Sequence, residues 1–323
     1  MNKSILSLTV IIIIIMVIAA SSVPVVNTAV FAGSAGDATA QVLQLGAGAK
    51  IPAMGGSGQA TVRGPAALHY NPAGLAGGTG QDLEFSYQKL VEDVQFGNFD
   101  YTMPFNDNFN FAAGLRYLAY GSEDKTVWSG GPGSSLEKDG SFSGSDIVLS
   151  GALAARLYSN ISWGVSGRLI RLEIDDENAL GASFDLGGQW VSPNSAVPLS
   201  AGLVLQNVGP GLKFDRKTED LPLGLVAGAS LDLQAYLDQP IWIHTDLDYQ
   251  VHDSEIFLKI GSEWQAHQLL SLRLGFDGSL GVDNGLTYGL GFGIPDSAME
   301  IDYALIPYGD FGTVHRLALN YSF

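Results

Sequence analysis

The stretch His315-Arg316-Leu317-Ala318-Leu319-Asn320-Tyr321-Ser322-Phe323 decides the fold. Its odd positions carry large apolar or aromatic side chains, whereas its even positions carry small or polar ones. A two-residue period is typical of a β-strand, because successive side chains point to opposite faces. A closed barrel in lipid would turn the apolar face outward and the polar face to its lumen, whereas a water-soluble β-sandwich would bury the apolar face.

The same period recurs in about fourteen segments between residues 81 and 323, beginning with Leu83, Phe85 and Tyr87. Their connections alternate between polar, glycine-rich stretches (122–144, 175–178, 208–220) and short turns (104–108, 158–160, 192–197). Long loops at one end and short turns at the other are typical of an outer-membrane barrel. We predict an all-β, transmembrane, antiparallel barrel of about 14 strands, with residues 122–144 as a surface loop folded over its mouth.

Composition is consistent with this prediction. The chain has 323 residues, 41 glycines and 46% hydrophobic residues, unlike a disordered acidic protein, although its formal charge is −17. This acidity, without a basic patch, argues against binding to nucleic acid. The absence of cysteine excludes disulfides and thiolate metal sites.

The N-terminus has the pattern of a secretory signal. Lys3 precedes an apolar run from about residue 5 to 20, and Val30-Phe31-Ala32 offers a cleavage site of small residues. We therefore expect a signal peptide over residues 1–32. An uncleaved anchor is the alternative, but the run is short for a spanning helix. The mature protein would then cross the membrane as strands.

The charged residues of the strands fall on the polar rows. An Arg or Lys on the lipid face at mid-membrane would cost about 2–4 kcal/mol, so we place these residues in the lumen. Arg171 breaks the phase, but it lies near a predicted strand end, where this cost is small. The predicted lumen charges are Arg116, Arg168, Asp246, Asp248, Lys259, Glu263, Arg273 and Arg316.

Residues 33–80 differ in composition from the strand segments, because they are rich in small residues. We interpret them as an N-terminal plug of the barrel. Glycine permits close backbone approach and Asn-Pro favours a turn. The pair Gly46-x-Gly48 resembles a dinucleotide loop, but Ile51 occupies the third glycine position and the motif fails. The plug motif consists of Gly48, Pro52, Met54, Gly55, Gly56, Asn71, Pro72 and Gly74.

Residues 48–56 (GAKIPAMGG) and 71–76 (NPAGLA) resemble the N-terminal hatch of the PorV/PorQ family, relatives of the FadL-like barrels. Residues 303–317 resemble the last hairpin of that family. Tyr321 and the terminal Phe323 resemble the insertion signal read by the barrel-assembly machinery. The resemblance implies a 14-strand barrel with a plug in the bacterial outer membrane. PorV-like members act in protein secretion and surface attachment, whereas FadL-like relatives pass hydrophobic molecules.

No catalytic pattern appears. The five histidines, His69, His244, His252, His267 and His315, lack metal-ligand spacing, and no Gly-x-Ser-x-Gly elbow is present. We therefore expect a non-enzymatic protein without a cofactor or metal, whose partners are membrane lipids and the barrel-assembly machinery. Its function is accessory to protein secretion, with secretion-system proteins as partners, or alternatively it is a conduit for a hydrophobic ligand. A barrel enzyme is a third, weaker class.

Overall fold

The computed structural model describes residues 39–90, 93–128, 130, 136–193, 198–214, 217–280, 285–309 and 312–323. Within these ranges, fourteen strands form a closed antiparallel barrel. The predicted fold class is therefore confirmed. The predicted signal peptide, 1–32, lies outside the described residues.

The barrel closes where β1 pairs with both β2 and β16, with Phe85 opposite Phe99 on one side and Leu319 on the other. Closure leaves no exposed sheet edge, which lipid does not tolerate. A separate two-stranded sheet, β8–β9, lies in the connection between β7 and β10. The strands are β1 (Asp82–Lys89), β2 (Gln95–Pro104), β3 (Phe109–Trp128), β4 (Leu136–Tyr158), β5 (Ile161–Ile174), β6 (Glu177–Val191), β7 (Leu199–Val208), β8 (Leu212–Phe214), β9 (Lys217–Glu219), β10 (Gly224–Asp232), β11 (Ile241–Gln250), β12 (Glu255–His267), β13 (Leu270–Asp277), β14 (Leu286–Gly293), β15 (Met299–Pro307) and β16 (Thr313–Ser322).

Side-chain exposure follows the two-residue period of the sequence. Leu149 on β4 is 53% exposed, whereas its neighbour Ser150 is 9% exposed. On β5, β6 and β16, for example, large apolar side chains are exposed on the outer face, and most of the charged and polar side chains lie inside. Such an outer band suits lipid and would be an aggregation hazard in water. Arg171 faces outward, where its guanidinium pairs with Glu173 near the end of β5.

The two barrel ends are named by the chain termini. The lower end holds Gln81 and Phe323, whose backbone groups are hydrogen-bonded at 2.8 Å, and the upper end lies opposite. Connection length does not alternate as predicted: the lower-end link from β10 to β11 contains a helix, Gln234–Leu237, whereas the upper-end link from β5 to β6 is a two-residue turn. The long polar stretches contain strand residues, which shortens the upper connections.

The prediction of a loop at 122–144 folded over the mouth is wrong. Beyond Ala119, β3 and β4 continue as a paired hairpin with β-bulges, above the last partners on β2 and β5. Ion pairs Lys125–Asp175 and Lys138–Asp124 lie along this extension. The glycines and charges suggested a loop, but backbone pairing of β3 with β4 and the cross-strand ion pair Lys138–Asp124 stabilise the hairpin.

Residues 39–80, here called the N-terminal segment, precede β1 and lie inside the barrel. They form four short helical turns, Gln41–Leu43, Pro52–Met54, Ala67–Tyr70 and Pro72–Gly77. Most of their residues are buried. Among the described residues, no helix has the length and apolarity needed to cross a membrane.

Arginine substitution tests the lipid-facing assignment. Leu149→Arg should hinder insertion by about 2–4 kcal/mol, because it places a charge at mid-membrane. Leu157→Arg, on the same face of β4 but at its lower end, should cost about 0–1 kcal/mol. The fraction of heat-modifiable, membrane-inserted protein measures the difference. Equal insertion of both variants would contradict the assignment.

The terminal aromatic residue gives a second prediction. The Tyr321 and Phe323 rings pack edge to face with centroids 4.6 Å apart at the lower end. We expect deletion of Phe323 to reduce outer-membrane insertion several-fold, because the assembly machinery would lose its terminal signal. Phe323→Tyr, which keeps an aromatic terminus, is the control. Wild-type amounts of inserted protein in the deletion variant would exclude this role.

Candidate functional site

The inner wall has a ring of glycines on which the N-terminal segment lies. At each, an added Cβ would fall within contact distance of the segment; at Gly202, for example, it would lie 2.5 Å from the Gln59 carbonyl oxygen. Real Cβ atoms do not approach a backbone atom that closely, so Gly202 must be glycine while the segment is in place. The ring consists of Gly114, Gly164, Gly187, Gly202, Gly228, Gly261, Gly275 and Gly289.

Polar side chains of the wall bind the backbone of the segment. Asp246 accepts hydrogen bonds from the N–H groups of Gly58 (2.8 Å) and Gln59 (3.1 Å). Across the lumen, Arg316 donates to the carbonyl oxygens of Gly46 (2.7 Å) and Gly48 (3.1 Å). Charged partners make such bonds stronger than neutral ones. These bonds hold residues 46–59 from two sides of the barrel.

Asn71 is fully buried, and its side chain both donates and accepts hydrogen bonds. Its Nδ2 donates to the carbonyl oxygens of Gln59 (2.9 Å) and Gly188 (3.2 Å). Its Oδ1 accepts from the N–H of Ala73 at 3.2 Å and so caps the helix Pro72–Gly77. Asn71 therefore joins two parts of the segment to β6.

The structure places the plug motif throughout this contact region. Gly48, Gly55 and Gly56 have positive φ, and the N–H of Gly55 donates to Thr287 Oγ1 at 2.9 Å. Gly74 has no room for a Cβ, which would overlap the carbonyl of Val62. The remaining members, Pro52, Met54 and Pro72, are buried.

The eight predicted lumen charges all lie on the inner face. Seven are less than a tenth exposed, and Lys259 is ion-paired to Asp248 at 2.8 Å. Arg168 binds both carboxylate oxygens of Asp185. Arg273 lies among Glu263, Glu300 and Asp302, and Glu263 also binds Lys50 of the segment at 2.8 Å.

Arg116 differs from these pairs. Among the described residues it forms no ion pair, and its Nη1 lies 3.4 Å from the carbonyl oxygen of Val42. Nearby, His69 Nε2 lies 2.7 Å from Asp100 Oδ1. Burial, and secondarily the charge of Arg116, lower the pKa of His69 to about 4 despite the opposing effect of Asp100. Neutral His69 therefore donates its Nε2 hydrogen to Asp100.

The upper part of the lumen has an apolar patch on its inner wall. Barrel strands β2–β6 contribute it, and Ala40 and Val42 of the segment cover it together with Leu212 and Leu221. Water-filled barrels have polar interiors, so this patch is a departure from the porin type. The wall residues of the patch are Phe96, Leu118, Val148, Ile170, Leu172 and Ala179.

Side chains that could bind a metal ion are not clustered in the described part of the chain. No group of three or more His, Asp or Glu side chains there could hold a metal ion. His69 and His244 are buried on different partners, Asp100 and Thr61.

The glycine ring and the apolar patch were not predicted from the sequence. The signal was present, because Gly187, Gly202, Gly261, Gly275 and Gly289 occupy the polar rows of their strands. An inward glycine adds no polar group to a lumen, so its repetition indicates close backbone approach. The patch likewise interrupts the polar rows near the upper end.

The sequence matches no protein-family model and no curated protein. Solved structures with a similar fold include the toluene transporter TbuX of Ralstonia pickettii (16% identity, TM-score 0.58) and the toluene transporter TodX of Pseudomonas putida (15%, 0.60), each over 86% of this chain and 98% of the other. A FadL homologue of Pseudomonas aeruginosa matches at 13% identity and TM-score 0.52, over 85% and 98%. At such identities the likeness establishes the FadL-like 14-strand barrel fold alone.

Two glycines of β5 test the seating of the segment. Gly164→Ala should weaken it by about 1–3 kcal/mol, since the new methyl group would overlap the Pro72 backbone. Gly167→Ala, on the same strand, meets nothing within 4 Å and is the matched control. Limited proteolysis in detergent should cleave residues 39–80 faster in Gly164→Ala only. Equal cleavage rates would show that the contact does not hold the segment.

Proposed function

We propose that this protein is a passage for hydrophobic small molecules across the bacterial outer membrane, closed at rest by its N-terminal segment. The observation that carries the proposal is the apolar patch inside the upper lumen. A hydrocarbon gains about 25 cal/mol for each Å² of apolar surface removed from water, whereas a hydrophilic solute loses hydration there. The patch therefore favours apolar over polar cargo.

The segment has the position that a plug requires. Val42 covers the patch, and residues 46–77 cross the lumen against the glycine ring. Under this proposal residues 33–80 form the plug, residues 81–323 form the barrel, and residues 1–32 are removed as a signal peptide. The lower end then faces the periplasm, and membrane lipids and the barrel-assembly machinery are the general partners.

The similar structures lend support of a limited kind. TodX and TbuX are described as toluene transporters, and TodX also as a monoaromatic hydrocarbon channel. A shared fold does not fix a shared cargo, so the apolar patch carries the argument for this chain. By analogy with these transporters, we also propose a non-enzymatic role.

A secretion or surface-attachment role, implied by the resemblance to PorV/PorQ proteins, is the second candidate. The observation that favours it is the β3–β4 hairpin, which rises above the rim with Trp128 and Phe142 exposed. Exposed aromatic residues are enriched where proteins bind partners. Co-purification of a secretion-system protein that is lost in Trp128→Ser would favour this role over transport.

Removal of the plug is the direct test of closure. We expect deletion of residues 46–76 to leave a folded barrel with raised single-channel conductance in planar bilayers, because the lumen charges would then be hydrated. The intact protein is the control. Near-zero conductance of a demonstrably folded deletion variant would show that this segment does not close the barrel.

Transport itself is tested at the patch. Ile170→Asn should slow uptake of radiolabelled toluene by cells about tenfold, since an unpaired amide in an apolar site costs about 1–3 kcal/mol. Ser150→Asn, also on the inner face but outside the apolar patch, is the control. Equal uptake by cells with and without the wild-type protein would refute the passage.

A further inference from the structure

A small cavity of about 110 Å³ opens at the lower mouth of the barrel, between the N-terminal segment and strands β4–β6. Its polar lining includes two arginines, two hydroxyls and two amides, and none of the described lining residues has a carboxylate. These polar lining residues are Arg63, Arg156, Ser159, Asn160, Ser162 and Gln189.

The two guanidinium groups border the same space. A Cβ built on Gly77 would lie 3.5 Å from Arg63 Nε and 3.7 Å from Arg156 Nη2. One arginine belongs to the segment and the other to the lower end of β4, so the tertiary fold brings them together. Two positive charges that border the same space repel each other, whereas an anion between them would attract both.

Neither arginine has an anionic partner among the described residues. Arg63 Nη1 donates to two neutral acceptors, the Val62 carbonyl oxygen at 3.1 Å and Gln189 Oε1. The chain has 33 acidic residues against 16 Lys and Arg. With acids in such excess, two adjacent arginines without a carboxylate form a local positive site in an acidic protein.

The direction of the pKa shift of Arg63 is consistent with the proximity of the two guanidinium groups. More than a third of its surface is still exposed, yet partial burial and, secondarily, the charge of Arg156 lower its pKa. Both causes oppose the charged form, and a bound anion would favour that form through its opposite charge.

We propose that Arg63 and Arg156 form a binding site for an oxyanion, a carboxylate or phosphate group, at the lower mouth. Guanidinium forks match both groups in geometry, and Ser159 and Ser162 supply hydroxyl donors. The cavity holds only a few water volumes, so it takes the anionic group and not a whole drug-sized ligand. The group belongs to a free anion or to the head of an amphiphile.

The site does not depend on the proposed transport function, and the test separates the two. Wild-type protein in detergent is titrated calorimetrically with inorganic phosphate, with decanoate and with uncharged decanol. We expect phosphate or decanoate to bind with a 1:1 stoichiometry, and the Arg63→Gln/Arg156→Gln double variant to weaken that binding at least tenfold. Phosphate binding indicates a free anion, whereas binding of decanoate alone indicates an amphiphile head group.

Arg171→Gln is the matched control, because it removes the same charge from the outer face. Heat modifiability of each variant verifies its fold. Absence of binding by both anions, undiminished binding in the double variant, or decanol binding as tightly as decanoate would each overturn the proposal. Toluene uptake is measured in a separate experiment. It tests transport, and its result does not decide whether the anion site exists.

Discussion

Close contact between the N-terminal segment and the inner wall is the constraint on which the rest of the structure depends. A 14-strand barrel has a lumen too wide for its own side chains to fill, so either water or another part of the chain must occupy it. Here residues 39–80 do so, and their backbone reaches the wall because Gly164, Gly202 and Gly275 have no side chain to keep it away. A methyl group at these positions would push the segment from the wall and admit water.

Filling the lumen determines how its charges must be arranged. Once water is displaced, a buried charge without a partner costs several kcal/mol, and removing one member of a buried pair costs about 3–5 kcal/mol. The wall meets this demand in two ways: Arg168 and Arg273 pair with carboxylates, whereas Asp246 and Arg316 bind the backbone of the segment. Asp246 and Arg316, which a porin would leave hydrated, thus anchor the segment.

The barrel could be predicted from the sequence, whereas the contacts in its interior could not. Strand phase follows from local alternation, as at Leu149 and Ser150, and lipid imposes it uniformly. The β3–β4 extension was missed because glycines and charges in residues 122–144 have the composition of a loop, and their stabilising pairs form only across strands. The partnership of Asp246 with Gly58 spans 188 residues, so no local pattern encodes it. Inward glycines carried a readable signal, but only a defined strand phase reveals that they share one face.

Different kinds of contact hold the two parts of the segment in the barrel. This difference affects how a passage would open. Residues 46–59 are tied by charge-assisted hydrogen bonds to Asp246 and Arg316, and Asn71 fixes the following turn. Residues 39–45, in contrast, contact the barrel chiefly through Val42 and the apolar patch, with hydrogen bonds from the Thr39 N–H to the Asp220 carbonyl oxygen and from Arg116 to the Val42 carbonyl oxygen. An apolar molecule can replace Val42 on the patch at little cost in hydrophobic contact, whereas nothing apolar can replace the bonds to Asp246. Displacement by such a ligand would therefore start at residues 39–45, which contact the patch, and leave the hydrogen bonds to Asp246 and Arg316 in place.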